Sequence, residues 1–430
     1  MKKDKGAIGY YILKFMQNRK GLFGLNKKTV LLLIILFIIA FFVYWVTSTG
    51  YPTPYNYYVR LADAFLNGHL YLLDNPSWLN ELVPNPSGVG YYVVYPPLPA
   101  VLMAPFVAIF GLELNQTLFG FFFSAATVVV AYLVAKSALT KTRQSTAISR
   151  STYVWFAVLF GFSTIFWYLS SIGSVWLIAH VIATFFMLFA LYECLNTNRP
   201  LIIGLLVGAS FWCRLPTALC IFFFVALAIA SQQDQGWLNK FKASLPYLVK
   251  LALGMSVFVL LNFAYNYARF GTIMDVGYWL IPGLMDEPWF QHGHFSLLYI
   301  PANLQPFLLG LPLLSSTAPY LHFPMSGMAI WFTTPAFLFA LKSKIKDKMT
   351  LSSWLGILSV VAIIFTNAAT GWGFGYRYAV DFYPLLFLLT VRGMGSDLKW
   401  YHKVLIILGV IINLVGVLAI NKFPGSKVLV

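Results

Sequence analysis

The chain has 430 residues, 60% of them hydrophobic and 10% charged, with 29 Lys and Arg against 13 Asp and Glu. A soluble domain carries roughly 25% charged residues, so a soluble enzyme of this length, a secreted disulfide scaffold and a disordered tail are excluded. Apolar runs of about 17–25 residues recur to the end of the chain, the length that crosses roughly 30 Å of hydrocarbon, and they do not alternate, which excludes a β-barrel.

The expected fold is an all-α polytopic membrane protein. The formal charge of +16 is not a nucleic-acid signal, because the bases cluster between the apolar runs in the positive-inside pattern. No nucleic-acid partner is expected. Cys194, Cys213 and Cys220 lie in or beside apolar runs without metal-ligand or disulfide spacing, and read as small core residues.

In chain order, residues 1–29 form a basic segment that includes Lys2, Lys3, Lys5, Lys14, Arg19, Lys20, Lys27 and Lys28. It is expected on the cytoplasmic side of the plasma (inner) membrane. Its stretch 8–25 reads either as an amphipathic helix on the inner leaflet or as a frayed tail. The first span, 30–46, has no small-residue cleavage site after it and reads as retained. A long outer loop, 47–113, follows. Residues 96–111 in it are apolar but short, and are expected to lie in the outer interface. Further spans are expected at about 114–136, 152–170, 173–194, 200–213, 216–231, 246–268, 325–341, 350–368, 377–391 and 402–420, which makes eleven with the first. The second long outer loop is 269–324. Residues 30–395 form the transmembrane domain, and 396–430 the last span and a short tail.

With eleven spans, most bases fall inside. Those outside and ahead of the tail are all arginine: Arg60, Arg214, Arg269 and Arg377. Arginine's planar fork suits phosphate or carboxylate, so these four are candidate ligands for an anion. The acids Asp63, Asp74, Glu81, Glu113, Asp275, Asp286, Glu287 and Asp381 fall on the same side. The chemistry is therefore expected in the outer loops. Arg60 and Asp63 share a helix face and read either as an ion pair or as a carboxylate base with a cation beside it. Tyr91–Pro99 reads as a groove wall or as part of an aromatic belt. Arg377 and Asp381 read as substrate ligands or as a pair neutralising itself. His292-Gly293-His294 behind Asp286-Glu287 reads as a solvated loop or a divalent-metal site. No cofactor is assigned, and no metal ligand. His180, inside a span, reads as hydrogen-bonded to a neighbouring helix.

A juxtamembrane helix ending Asn67-Gly68 follows the first span, and a Pro96-Pro97-Leu98 helix ending Phe110-Gly111 precedes the second. Arg214-Leu215-Pro216 lies at a span junction. Asn262–Gly271 followed by Gly277-Tyr278 enters the second loop, and Gly371-Trp372-Gly373-Phe374-Gly375-Tyr376-Arg377-Tyr378 opens a late span. In order and spacing these pieces resemble the membrane-embedded glycosyltransferases of the GT-C superfamily, which include protein O-mannosyltransferases and lipid A aminoarabinose transferases. The resemblance covers about residues 30–395. It implies an inverting transfer outside the cytoplasm, from a polyprenyl-phosphate sugar donor to a lipid, glycan or protein acceptor, with a first-loop carboxylate as base. The superfamily's acid precedes a helix Tyr by about four residues. Here that place, counted from Tyr57, is Thr53-Pro54. Asp63 is the nearest substitute, with Glu81 and Asp74 as alternatives. Arg377, Arg214, Arg269 and Arg60 are then the donor-phosphate candidates, and Tyr57, Tyr58, Tyr95, His292 and Asp381 the other substrate contacts. A non-catalytic lipid-binding or scaffold subunit and a lipid or solute transporter are the competing readings. A transporter needs midplane charges and related halves, neither of which is visible. A cavity shared by Arg377 and either Asp63 or Glu81 would separate enzyme from scaffold.

Overall fold

The computed structural model describes residues 26–140, 148–233, 236–317, 320–368, 371, 373–423 and 427–428. The amphipathic reading of 8–25 and residues Lys141, Arg143 and Trp372 lie outside them. The chain begins with α1 (Lys27–Thr47), α2 (Tyr57–Leu66), a hairpin of β1 (Leu82–Pro84) and β2 (Tyr91–Val93), and α3 (Leu98–Phe110). Next come α4 (Gln116–Thr140), α5 (Arg150–Phe162), α6 (Phe166–Ser171), α7 (Val175–Leu195) and α8 (Pro200–Phe211). A 3₁₀ turn at Leu215–Cys220 leads into α9 (Ile221–Ala230) and the long α10 (Trp237–Phe270). After a loop of short turns the chain forms α11 (Ile300–Leu309), β3 (Leu313–Leu314), β4 (Leu321–Pro324) and α12 (Ile330–Thr333). It ends with α13 (Lys348–Thr366), α14 (Tyr383–Met394), α15 (Trp400–Lys422) and β5 (Lys427–Val428).

The protein is an all-α polytopic membrane protein. Among the described residues α1, α4, α7, α10, α13 and α15 are long and apolar enough to cross a membrane, and each occupies an expected span. The other five expected spans are short or interrupted, for local reasons. The 152–170 run breaks between α5 and α6, where the Thr164 hydroxyl donates to the Phe160 carbonyl at 2.8 Å and accepts from Phe166 N–H at 3.1 Å. Such side-chain bonds compete with the helix ladder. Pro200, Pro216 and Pro384 each sit in the first turn of a helical segment, and Pro335 opens the 3₁₀ run Pro335–Lys342. Proline is tolerated at a helix start and not in its interior, so these runs form separate segments. The 96–111 stretch is α3, 13 residues long, about 20 Å at 1.5 Å per residue and too short to cross alone.

Glycines set the closest helix contacts. α8 and α10 cross at Gly204 and Gly254. A Cβ on Gly204 would lie 2.1 Å from the Leu251 carbonyl oxygen, and one on Gly254 would lie 2.2 Å from that of Leu201. Small residues of this kind let helix backbones touch in a membrane. Gly254→Val is expected to force the helices apart, with an overpacking penalty of about 1–3 kcal/mol, read as a lower melting temperature in detergent. An unchanged melting temperature would mean that this crossing is not tight.

The two ends of the bundle differ. At one end lie the pairs Arg199–Glu193 at 2.8 Å, Arg392–Asp347 at 2.8 Å and Lys399–Asp397 at 2.6 Å. At the other, α2, the β1–β2 hairpin and α3 pack with the start of α7 and the end of α8 around a second hydrophobic core that includes Tyr58, Val93, Val175, Ile178 and Trp212. α7 joins the two ends over its 21 residues, about 30 Å.

Candidate functional site

Where the β2 end of the hairpin meets the helix bundle, a partly open cavity of about 450 Å³ forms. Its wall is mostly apolar and aromatic, including Tyr95, Trp176, Tyr278 and Trp279, and its charged lining residues are Arg214, Asp275 and Arg377, with His294 beside them.

Glu81 is held against this wall by hairpin register. Leu82 pairs with Val93, which sets Glu81 beside the residues just after β2. The Tyr95 hydroxyl donates to Glu81 Oε2, Trp176 Nε1 donates to it at 3.1 Å and the Tyr278 hydroxyl at 3.3 Å. The Glu81 N–H donates to the Tyr57 hydroxyl at 3.1 Å. Three donors thus converge on one carboxylate oxygen, and all three belong to residues lining the cavity. No cation lies within 4 Å of Glu81 among the described residues. The carboxylate is held by neutral donors, so it is oriented without being neutralised.

The cationic side is built from two segment starts. Arg214 precedes the Leu215–Cys220 turn, and Arg377 opens the 3₁₀ turn Arg377–Asp381. Arg214 Nη2 donates to Asp381 Oδ2 at 2.9 Å, and His180 Nδ1 lies 2.8 Å from Asp381 Oδ1. The Asp381 side chain is 1% exposed and that of His180 is fully buried. Arg377 has no carboxylate within 4 Å among the described residues, and its Nε is buried without a partner. Both guanidiniums flank Tyr378, at 5.4 Å and 5.2 Å from its ring centroid. Of the two arginines Asp381 pairs with Arg214 alone, so the Arg377 guanidinium leaves positive charge on this side of the cavity wall, the requirement for holding an oxyanion.

Elsewhere in the lining, burial pushes the Asp275 carboxyl up from its ordinary value and the His294 imidazole down. The His294 ring is surrounded by Tyr278, Trp279, Phe290 and Phe295.

The sequence candidates divide sharply. Arg214, Arg377, Tyr58 and Tyr95 line the cavity. Tyr57 lies behind it, bonded to the Glu81 backbone. Asp381 is enclosed by Arg214 and His180 and does not pair with Arg377, so it positions Arg214. His180 does bond to another segment, as expected of a histidine inside a span. Neither Asp63 nor Glu81 is among the residues that line the cavity, although Glu81 is bonded to three that do, and the ion-pair reading of Arg60 and Asp63 is not met. Arg60 instead bonds Asp74 at 2.6 Å, at the exposed surface. Arg269 is a wall post. It is 4% exposed, lies over the Tyr265 ring at 3.7 Å, and donates to the Val93 carbonyl at 2.5 Å and Asn266 Oδ1 at 2.8 Å. His292 is exposed and rests near Tyr299, 5.7 Å between ring centroids. The two histidines diverge, and among the described residues no three His, Cys, Asp or Glu side chains gather as a metal would need. Sequence reasoning missed Trp176, Tyr278, Trp279 and Asp275 as cavity residues. Only Gly277-Tyr278 carried a signal, as the entry to the second loop.

No family model matches the chain, and no curated protein matches it. It is similar to solved structures of the oligosaccharyltransferase of Archaeoglobus fulgidus. The apo form is 12% identical with a TM-score of 0.44, over 92% of this chain and 56% of that one. The form tethered to an acceptor peptide through a disulfide is 10% identical with a TM-score of 0.45, over 92% and 55%. The complex of archaeal AglB with an inhibitory peptide and a dolichol-phosphate is 11% identical with a TM-score of 0.48, over 94% and 57%. The chain thus spans little more than half the length of these structures.

Proposed function

We propose that the protein is an integral membrane glycosyltransferase. It moves a sugar from a polyprenyl-phosphate carrier to an extracytoplasmic hydroxyl, with inversion at the anomeric carbon and Glu81 as base. The observation that carries this reading is one cavity with the Arg214 and Arg377 guanidiniums on its wall and the Glu81 carboxylate held by three of its lining residues. The acceptor oxygen attacks the anomeric carbon, and the bond from that carbon to the carrier phosphate oxygen breaks. The electron pair leaves on the phosphate, where the two guanidiniums stabilise the added charge. The acceptor proton passes to Glu81, whose Oε1 receives no donor among the described residues. By the charge distribution of the sequence, the cavity end faces away from the cytoplasm and the basic end toward it.

The test is transfer from a panel of radiolabelled polyprenyl-phosphate sugars by the purified protein in proteoliposomes. Arg377→Ala is expected to raise the donor KM about ten- to a hundredfold, the effect of losing one hydrogen bond to a charged group. Arg377→Lys is expected to recover part of this. The absence of transfer from every donor in wild-type protein would reject the enzyme reading in favour of a lipid-binding subunit.

A further inference from the structure

We infer that residues 297–314, within the second long outer loop, lie in the membrane surface and bury a leucine face among lipid acyl chains. From Pro288 to Leu341 the chain has no Asp, Glu, Lys or Arg. Residues 297–314 contain eight leucines, and every one is exposed, from 38% for Leu304 to 86% for Leu314. The buried residues are Tyr299, Asn303 and Pro306, and Ile300 and Phe307 pack half-buried beside them, but no leucine does. The polarity is therefore inverted relative to a water-exposed loop, which would turn its leucines in and its asparagine out.

The position of α11 explains the inversion. Asn303 Nδ2 donates to the carbonyls of Phe365 at 3.0 Å and Asn367 at 2.9 Å. Both belong to the cavity end of α13, a helix long and apolar enough to cross a membrane. α11 is therefore pinned where that span ends, at the boundary of the hydrocarbon. α13 itself exposes Leu351, Leu355, Leu358 and Ile363, so the leucine face continues a surface that already meets lipid. Trp331, 40% exposed, donates its indole N–H to the Leu308 carbonyl at 2.6 Å, and tryptophan favours this interfacial depth. An apolar face with no basic residues binds by hydrophobic insertion and not by headgroup charge. The same Asn303 accepts a hydrogen bond from the Tyr376 hydroxyl at 2.7 Å, next to Arg377. The lipid-seated helix is thus fixed directly to the arginine side of the cavity.

The test uses the full chain in phosphatidylcholine nanodiscs, with an environment-sensitive fluorophore on Leu298→Cys, Leu309→Cys or Leu314→Cys. Asp286→Cys, in the exposed part of the same loop, is the aqueous control. Cys194, Cys213 and Cys220 are buried, and labelling of the unsubstituted protein sets the background. Nitroxide groups on the acyl chains are expected to quench the three leucine sites about threefold more than Asp286→Cys, with aqueous iodide in the reverse order. Iodide quenching equal to the control would overturn the inference in favour of an aqueous loop. Shielding from both quenchers would overturn it in favour of a protein occupant, a second copy or another chain.

Discussion

Glu81→Gln is expected to lower the rate of sugar transfer by about 10²–10⁴, the usual contribution of a general base, while leaving the donor KM nearly unchanged. The substitution separates two roles of the residue. Glutamine keeps a carbonyl oxygen to accept from Tyr95, Trp176 and Tyr278, and the Glu81 N–H to Tyr57 is a backbone bond that survives. What is lost is the ability to take a proton. Single-turnover transfer in proteoliposomes, with matched melting temperatures for variant and wild type, reads the chemical step without the folding term. Asp63→Asn, at a residue that, unlike Glu81, makes no side-chain hydrogen bond to a cavity-lining residue among the described residues, is expected to retain transfer. Wild-type rates in Glu81→Gln with loss in Asp63→Asn would move the base to the α2 helix and sink the present assignment.

The membrane class was legible because composition alone forbids a soluble surface, and six spans were legible because they are long uninterrupted apolar helices. The breaks were less so. Pro200, Pro216 and Pro384 stand in helix first turns, where sequence cannot separate a new span from a resumed one. The site was half legible. Arg269 carried a readable signal against ligand binding, since Tyr265 and Asn266 at i−4 and i−3 are its own helix neighbours. The partner of Asp381 was not readable. An i,i+4 pair with Arg377 assumes α-helical rise, whereas residues 377–381 form a 3₁₀ turn, which brings i and i+3 into line instead. Asp381 therefore meets Arg214 and His180, 167 and 201 residues away in sequence. Glu81 depended on the register of a three-residue hairpin and on Tyr278, 197 residues distant, and no local pattern encodes either.

Asp381→Asn is expected to be the most destabilising of the substitutions considered, by about 3–5 kcal/mol, because it leaves one side of a buried ion pair uncompensated. Asp381 is the only carboxylate within 4 Å of Arg214 among the described residues, and its oxygens are both engaged. Asparagine offers one acceptor where two are used, and its amide faces either a guanidinium or an imidazole. The freed Arg214 then stands near Arg377 on either side of Tyr378, so like-charge repulsion is added to desolvation. Thermal unfolding in detergent is expected to fall by several degrees. Phosphate esters that fill the cavity should restore part of the loss, because an anion replaces the missing charge and binding to the folded state stabilises it. Removing both partners in Arg214→Gln with Asp381→Asn should be less harmful than Asp381→Asn alone, the signature of a coupled pair in a double-mutant cycle. A purely structural aspartate would give no rescue by the anion. Rescue by anion and by the second substitution would assign Asp381 as the residue that aims Arg214 at the leaving phosphate.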